Sequence, residues 1–362
     1  MVRIKGYPLL IALVLMIFSA AAPALAGSLA PGEPPTVPTL APQGAIAPAV
    51  ALPLRQYVPL TVNVAAGTSA GLYVNIQDRQ SVLNFYNLDY LGYDSAEMDW
   101  TGSQASCVPG TTSAEFQSVV LHRVNYFRAM AGLPANVTFS AEMNRKAQAA
   151  ALMMSANGQL SHSPPTSWKC YSSDGAAGAG SSDLFLGVYS WDAISGYMLD
   201  PGASNSAAGH RRWILYPQTQ VMGTGDVPPS GSYYAANALV VIDSAQYSSP
   251  RPATRDDFVA WPPPGYVPSP VVYARWSFAY PGADFSAATV SMTSNGAGVS
   301  LAQSPVQNGY GENTLVWIPL GMSDGATWPR PASDTSYKVT VSNVKINNVA
   351  RSFSYTVTIF AP

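Results

Sequence analysis

The sequence predicts an α+β protein in which an α-β-α sandwich domain is followed by an all-β, immunoglobulin-like sandwich domain. Apolar residues recur at helical spacing through much of 112–243, whereas the alternation typical of strands begins after residue 270. The proline-rich stretch 247–270 is predicted to be a linker between them. The predicted domains are therefore 59–246, which includes an N-terminal extension, and 271–362.

The N-terminus has the features of a secretory signal peptide, predicted over 1–26. Arg3 and Lys5 form a positive n-region, an apolar h-region follows, and cleavage is expected near Ala26. Residues 27–58 are rich in Pro and Ala, which indicates an extended linker. No later apolar run approaches the roughly 18 residues of a membrane-spanning helix. We expect the mature chain to have no transmembrane segment and to be secreted, periplasmic or at the cell surface.

Charge argues against a nucleic-acid partner. Without Arg3 and Lys5 the chain keeps 16 basic against 20 acidic residues, a net charge of −4. A nucleic-acid or anionic-membrane surface needs a basic face, and this composition does not favour one.

Four helices are predicted in the first domain from N-cap signals and apolar spacing. Asp78 is expected to cap the first, a capping box at Thr112 and Glu115 opens the second, and Ser140 and Ser190 are expected to cap the others. The predicted ranges are 78–90, 112–130, 140–156 and 190–197, with weak strands within 60–76, a loop at 169–180 and a buried strand at 238–242.

The second domain shows period-two patterns separated by turn signals such as Asn295-Gly296. Five to seven short strands in about 95 residues indicate the immunoglobulin-like sandwich. The patterns lie at 272–280, 288–293, 314–318, 337–344 and 352–360.

The chain has two cysteines, Cys107 and Cys170. Export favours a disulfide, because exported proteins enter an oxidising environment. A free buried thiol and a catalytic cysteine are the alternatives.

His162 and His210 are two of only three histidines. His162 lies just past a predicted helix end, and His210 heads a segment of its own. Two imidazoles can bind zinc, although a catalytic zinc site commonly has three protein ligands. The alternative is that each is a hydrogen-bonded structural residue. His122 lies inside a predicted helix, where a structural role is favoured.

Two further features leave their role open. The run Arg211-Arg212-Trp213 fits either an anionic or sugar ligand, or structural packing of guanidinium groups on an aromatic ring. No Gly-x-Ser-x-Gly element is present, so serine hydrolase chemistry is poorly supported.

Three ordered motifs resemble the CAP superfamily (cysteine-rich secretory, antigen 5 and pathogenesis-related proteins; SCP domain), in its bacterial secreted branch. The first is Arg123-Val-Asn-Tyr-Phe-Arg-Ala-Met-Ala-Gly-Leu-Pro134. The second runs over 147–163 and ends in Leu160-Ser-His-Ser163, and the third is Gly209-His-Arg-Arg-Trp-Ile-Leu-Tyr-Pro217. Together they cover about a third of the chain.

The resemblance implies an α-β-α sandwich with a cleft in which two histidines and two acids meet. His162 and His210 match the family histidines, and Asp200 is the match for the second acid. Where the family has Glu-Asn, this chain has Ser182-Asp183. A serine adds no charge, so the first acid is replaced unless Asp183 takes its place.

Binding of a divalent metal (zinc or calcium), binding of sterol or lipid, and proteolysis are the activities that the resemblance implies. We expect a secreted protein that binds a ligand, a lipid, a sterol or another cell-envelope component in the two-histidine cleft. The alternative is a metal-assisted extracellular hydrolase or peptidase that uses His162, His210 and either Asp183 or Asp200. No catalytic residue is assigned, and the β-domain is expected to be a spacer or a second binding module.

Overall fold

The computed structural model describes residues 71–362, which belong to one compact unit. The predicted signal peptide (1–26) and linker (27–58) lie outside the described residues, as does most of the weak strand pattern at 60–76. The described part of that pattern, 71–76, forms no strand.

The helices of the described residues follow the predicted pattern, with corrections at their starts. Ser190 is the first residue of its helix and does not cap it, because Tyr189 occupies the N-cap position. Asp78 caps the first helix by accepting from the Gln80 amide at 3.1 Å. Ser113, not Thr112, caps the second, because its Oγ accepts from the Phe116 amide at 3.0 Å. The α-helices are α1 (Arg79–Phe85), α2 (Ala114–Met130), α3 (Ala141–Asn157), α4 (Ser173–Gly180), α5 (Ser190–Leu199), α6 (Gly209–Ile214) and α7 (Ser244–Ser248), and a π-helical turn (Tyr86–Leu91) continues α1.

Helix α4 lies where the sequence predicts a loop, and that prediction is wrong. Its three glycines have poor helix propensity, but they allow α4 to pack closely on α3. A Cβ at Gly178 would stand 2.3 Å from the carbonyl oxygen of Lys146. Packing against α3 therefore decides the conformation of this segment.

A four-stranded sheet separates two helical layers. Its order is β1-β3-β4-β2. Residues of β4 alternate between the layers: Ala238 and Val240 pack in the cluster that contains α3, and Leu239 packs in the cluster that contains α2 and α5. The strands are β1 (Thr138–Phe139), β2 (Ser182–Leu186), β3 (Val221–Val227) and β4 (Ala236–Val240). This is the predicted α-β-α sandwich.

The C-terminal part is β-rich and contains a four-stranded and a five-stranded sheet, in the orders β10-β11-β7-β5 and β6-β13-β12-β8-β9. Most strand pairs are antiparallel, although β6 pairs with β13 in parallel. The arrangement fits an immunoglobulin-like region. The strands are β5 (Val259–Trp261), β6 (Gly265–Pro268), β7 (Trp276–Ala279), β8 (Thr289–Ser294), β9 (Ala297–Val299), β10 (Leu301–Gln303), β11 (Thr314–Pro319), β12 (Thr335–Ile346) and β13 (Val349–Phe360).

The stretch 247–270 is not only a linker, because it supplies β5 and β6. The side chain of Trp261 is fully buried, and its ring meets that of Phe127 from α2 at a centroid distance of 5.3 Å. Apolar burial outweighs the local effect of the prolines. The β-rich region therefore shares one continuous core with the α2 and α5 layer.

A disulfide joins Cys107 to Cys170, so the predicted bridge is confirmed. It closes a loop with a sequence separation of 63. Loop-closure entropy for that length corresponds to about 4 kcal/mol. No helix within 71–362 combines the length and apolar character needed to span a bilayer.

Candidate functional site

A concavity of about 400 Å³ opens beside the central sheet, and both His162 and His210 line it. Its walls come from the turn after α3, from β2, from α5, and from the loop between α5 and α6. Most of the lining is apolar. The lining residues are Leu160, Ser161, His162, Leu184, Phe185, Leu186, Gly196, Tyr197, Pro201, Ser204, Asn205 and His210.

His210 is held firmly at the start of α6. Its Nδ1 donates to Oδ1 of Asp200 at 2.7 Å, and its backbone amide donates to Oδ2 of Asp200 at 3.1 Å. The amide of Arg211 lies 3.4 Å from the same Oδ2. On its face the imidazole stacks on the ring of Tyr197, with centroids 5.4 Å apart. Asp200 thus occupies the Nδ1–H group of His210, so Nε2 is the ring nitrogen left for a ligand.

The pKa of His210 is raised from 6.5 to about 9. Burial is the largest influence and lowers it, but the Asp200 hydrogen bond and the charges of Asp183 and Asp200 together outweigh burial. Burial raises the pKa of Asp183 itself well above its ordinary range, so the Asp200 hydrogen bond is the main upward influence on the His210 pKa that does not depend on a charged Asp183. At neutral pH the cleft therefore carries an imidazolium.

His162 is held by a single hydrogen bond. It is exposed, and its Nδ1 donates to the carbonyl oxygen of Ala179 at the end of α4, at 2.9 Å. Its Nε2 has no hydrogen-bond partner within 71–362. The predicted pair of histidines shares one concavity, but the two rings have different surroundings.

The predicted first acid does not line the cleft. The hydroxyl of Ser182 points to α4 and donates to the Gly178 carbonyl oxygen at 2.7 Å. Asp183 is 3% exposed and sits behind the cleft wall, with an Oδ2 that lacks a hydrogen-bond partner within 71–362. A carboxyl in that setting is a neutral acid rather than a ligand for a cation.

Tyr197 is a cleft residue that the sequence analysis missed. Its hydroxyl donates to Oδ1 of Asn237 at 2.7 Å, and Asn237 Nδ2 donates to Oδ1 of the fully buried Asp226 at 2.9 Å. This network fixes the ring on which His210 stacks. No sequence signal distinguished Tyr197 from the other apolar residues of α5, because its role depends on partners in β3 and β4.

The residues present do not fit a protein-held metal site. Within 71–362, no group of three or more His, Cys, Asp or Glu side chains is placed to hold a metal ion. Asp200 is already bound to the Nδ1 of His210, and Asp183 is enclosed behind the wall. Among the His, Cys, Asp and Glu side chains that line the cleft within 71–362, only the Nε2 atoms of His162 and His210 remain as metal ligands, fewer than the three protein ligands common in catalytic zinc sites.

The arginines beside His210 are structural. Nη1 of Arg211 donates to the carbonyl oxygen of Arg275 at 2.7 Å, and Nη1 of Arg212 donates to that of Gln307 at 2.7 Å. Both guanidinium groups are buried, and burial lowers the pKa of each to about 10. They therefore do not grip a ligand in the cleft.

Comparison with known proteins places this site in a family. Residues 121–242 match the model of the CAP family, described as the cysteine-rich secretory protein family. No curated protein matches the chain. Among solved structures, PcoC from Escherichia coli, described as a methionine-rich copper resistance protein, is similar at 17% identity and a TM-score of 0.21, over 28% of this chain and 92% of PcoC. At that TM-score the likeness supports no statement about fold or function.

The family match includes both histidines, Asp200 and all four strands of the central sheet, so it spans the entire site. The motifs at 123–134, 147–163 and 209–217 all lie inside the matched residues. The chain therefore contains a CAP-family domain over residues 121–242.

Proposed function

We propose that this CAP-domain protein is exported and that its cleft binds a ligand with an anionic group next to an apolar portion, as in a lipid or another envelope component. The observation that carries the proposal is the His210–Asp200 pair at the edge of an apolar concavity. An imidazolium with one nitrogen held by Asp200 has its Nε2–H available to an anion.

The walls support the apolar half of that ligand. Leu160, Leu184 and Phe185 line the cleft together with Pro201. A volume of about 400 Å³ lies within the range of small-molecule sites. Burial of apolar surface would supply affinity, and the single charged group would fix the orientation.

Binding is favoured over hydrolysis by the protonation of the cleft. A general base must be unprotonated at the working pH, and a pKa of about 9 keeps His210 protonated at neutral pH. The alternative, a metal-assisted hydrolase, needs a ligand set that the described residues do not provide. Export is supported by the Cys107–Cys170 disulfide, since such bonds persist in oxidising compartments.

Calorimetric titration with decanoate, and with 1-decanol as its neutral counterpart, tests the proposal. We expect decanoate to bind the wild type at pH 7.5 more tightly than decanol. His210→Gln should weaken decanoate binding tenfold or more, because a charge-assisted hydrogen bond is lost.

His122→Gln is the matched control. His122 lies outside the cleft, where its Nε2 meets Asp89 at 3.2 Å and its ring stacks on Tyr93. This variant should bind decanoate as the wild type does. Equal affinity for decanoate and decanol, or equal loss in both variants, would overturn the proposal.

A further inference from the structure

The loop that carries Asp200 has an unusual backbone. Asp200 adopts a left-handed conformation with φ 54°, and Gly202 has φ 101°. A non-glycine residue in the left-handed region is strained, and it persists only where its surroundings hold it. The position of the Asp200 carboxylate therefore depends on what holds residues 200–202.

The carbonyl oxygens of this loop are held by Arg275, a residue of the β-rich region, and by Asn205, whose backbone amide donates to the Gly202 carbonyl oxygen at 3.1 Å. Nη1 of Arg275 donates to the carbonyl oxygen of Asp200, and Nη2 donates to that of Gly202 at 3.1 Å. The carbonyl oxygen of Pro201, between them, accepts from Nδ2 of Asn205 at 2.7 Å. Because the guanidinium is a rigid fork, two bonds from one Arg275 side chain fix the distance and angle between the two peptides.

The contact is reciprocal. The carbonyl oxygen of Arg275 accepts from Arg211, the neighbour of His210, and Ser277 Oγ lies 3.3 Å from the same guanidinium nitrogen. Arg275 is itself only 5% exposed, and its Nη2 also meets Oδ2 of Asp324 at 3.3 Å. Both partners of the His210–Asp200 pair are thus tied to the segment at the start of β7.

A second segment of the β-rich region covers α6. Gln307 accepts from Arg212 through its carbonyl oxygen, and its Nε2 lies 3.3 Å from Oγ of Ser206. The ring of Tyr310 lies so close to Gly209 that a Cβ there would stand 3.0 Å from it. The residue before His210 is therefore enclosed by the loop between β10 and β11.

We propose that Arg275 is a positioning residue of the cleft: by holding the Asp200–Gly202 backbone it places the Asp200 carboxylate against His210, so the β-rich region completes the site. Such a role for Arg275 deepens the function proposed above, and it rests on that function only in assuming that the cleft binds a ligand. The β-rich region is then neither a spacer nor an independent module.

Native-state hydrogen exchange of the full-length protein, measured by NMR at one pH, tests this inference without any ligand. The reporters are the amides of His210 and Arg211, which donate to the Asp200 carboxylate. Arg275→Lys keeps the charge but loses the fork. We expect these two amides to exchange about tenfold faster or more, while amides of β2 and β4 change by less than about twofold.

Arg330→Lys is the matched control, because Arg330 also donates to a backbone oxygen of the β-rich region, that of Pro362 at 3.2 Å, on an exposed surface. It should leave every reporter unchanged. A uniform acceleration of all amides in Arg275→Lys would indicate a merely structural role and overturn the inference, as would no change at all.

If Arg275→Lys does not fold, Asp324→Asn carries the test. This substitution weakens the contact between Nη2 of Arg275 and the side chain at position 324. Hydrogen exchange of the His210 and Arg211 amides should then become about threefold faster. No acceleration there would overturn the inference. Either failure leaves the proposed ligand binding intact, because decanoate affinity is measured separately.

Discussion

The two histidines of the cleft occupy contrasting corners. The His210 corner consists of His210, Asp200, Tyr197 and Arg275, and the Asp200 carboxylate is fully buried. The His162 corner consists of His162 in the turn after α3 and the Ala179 carbonyl, and it is exposed. The His210 ring hydrogen-bonds to a carboxylate and stacks on Tyr197, and Arg275 of the β-rich region holds the backbone of Asp200. The His162 ring donates to one neutral acceptor, the carbonyl oxygen of Ala179.

The difference shows how one cleft can combine a charged side chain held in one orientation, that of His210, with a side chain that is free to reorient, that of His162. A buried carboxylate that accepts from three N–H groups has little freedom to move, so the charge of His210 is preorganised for a ligand. His162 loses little by rotating, because water can replace its single partner. We therefore expect the His210 corner to set orientation and affinity, and the His162 corner to adapt to the ligand.

The largest expected effect comes from Asp200→Asn, which removes the anion but keeps the shape and tolerates the left-handed backbone. The free energy of unfolding should fall by about 3 kcal/mol, the lower end for a broken buried pair, because His210 can lose its proton in response. Urea unfolding at pH 7 measures this.

The control for that variant is Asp174→Asn. Asp174 pairs with Arg145, but both side chains are more than 40% exposed, at 44% and 58%. Exposed pairs contribute about 0–1 kcal/mol. If the two variants lost equal stability, the His210 corner would be no more rigid than the surface.

The second effect is a pH dependence with a definite sign. The pKa of His210 is higher in the folded state, about 9, than its ordinary 6.5, so the folded protein binds more protons between those values. This contribution to stability is fully present below pH 6.5 and is lost as the pH rises through 9. After allowance for partial solvent exposure it amounts to about 2 kcal/mol.

Unfolding of the wild type and of His210→Gln at pH 6, 7.5 and 10 isolates this contribution. The buried carboxyls of Asp183 and Asp226 also have raised pKa values, through burial, and they add slopes of the same sign from acidic pH upward. The Asp226 slope is common to both proteins, whereas the charge of His210 lowers the pKa of Asp183, so a change in the Asp183 slope is part of the difference that the comparison measures. The stability difference between the two should shrink from pH 6 to pH 10, and a constant difference would refute the raised pKa.

The fold was predictable from sequence where local pattern and burial agree. Helix α2 and strands β12 and β13 have clear periodicity, and the structure contains them. Strand β3 was not predicted because Gly223 and Gly225 interrupt its apolar pattern. These glycines allow α3 to pack closely on the strand, since a Cβ at Gly225 would stand 2.1 Å from the carbonyl carbon of Ala147. Strand β5 was missed because prolines flank it, although Trp261 is wholly buried.

The residues of the site likewise differ in whether the sequence predicts them. His162, His210 and Asp200 were named in advance because they lie in or near motifs of the family. Ser182 and Asp183 were placed in the cleft on the same grounds, but the register of β2 turns the Ser182 hydroxyl towards α4. Arg275 carried no local signal, since its role arises only when a distant strand meets the loop after α5. Sequence motifs thus predicted the residues that face a ligand better than those that hold them.

The smallest expected effect is at His162, and it tests the contrast most directly. His162→Gln should change stability by less than about 1 kcal/mol, because only one hydrogen bond of an exposed ring is affected. Decanoate affinity should change by less than about threefold at pH 7.5, compared with tenfold or more in His210→Gln. Calorimetric titration of both variants on the same day and buffer gives the ratio. Equal losses would mean that the two imidazoles bind the ligand as equals, and the Asp200 contact would then not be what makes His210 the stronger contributor.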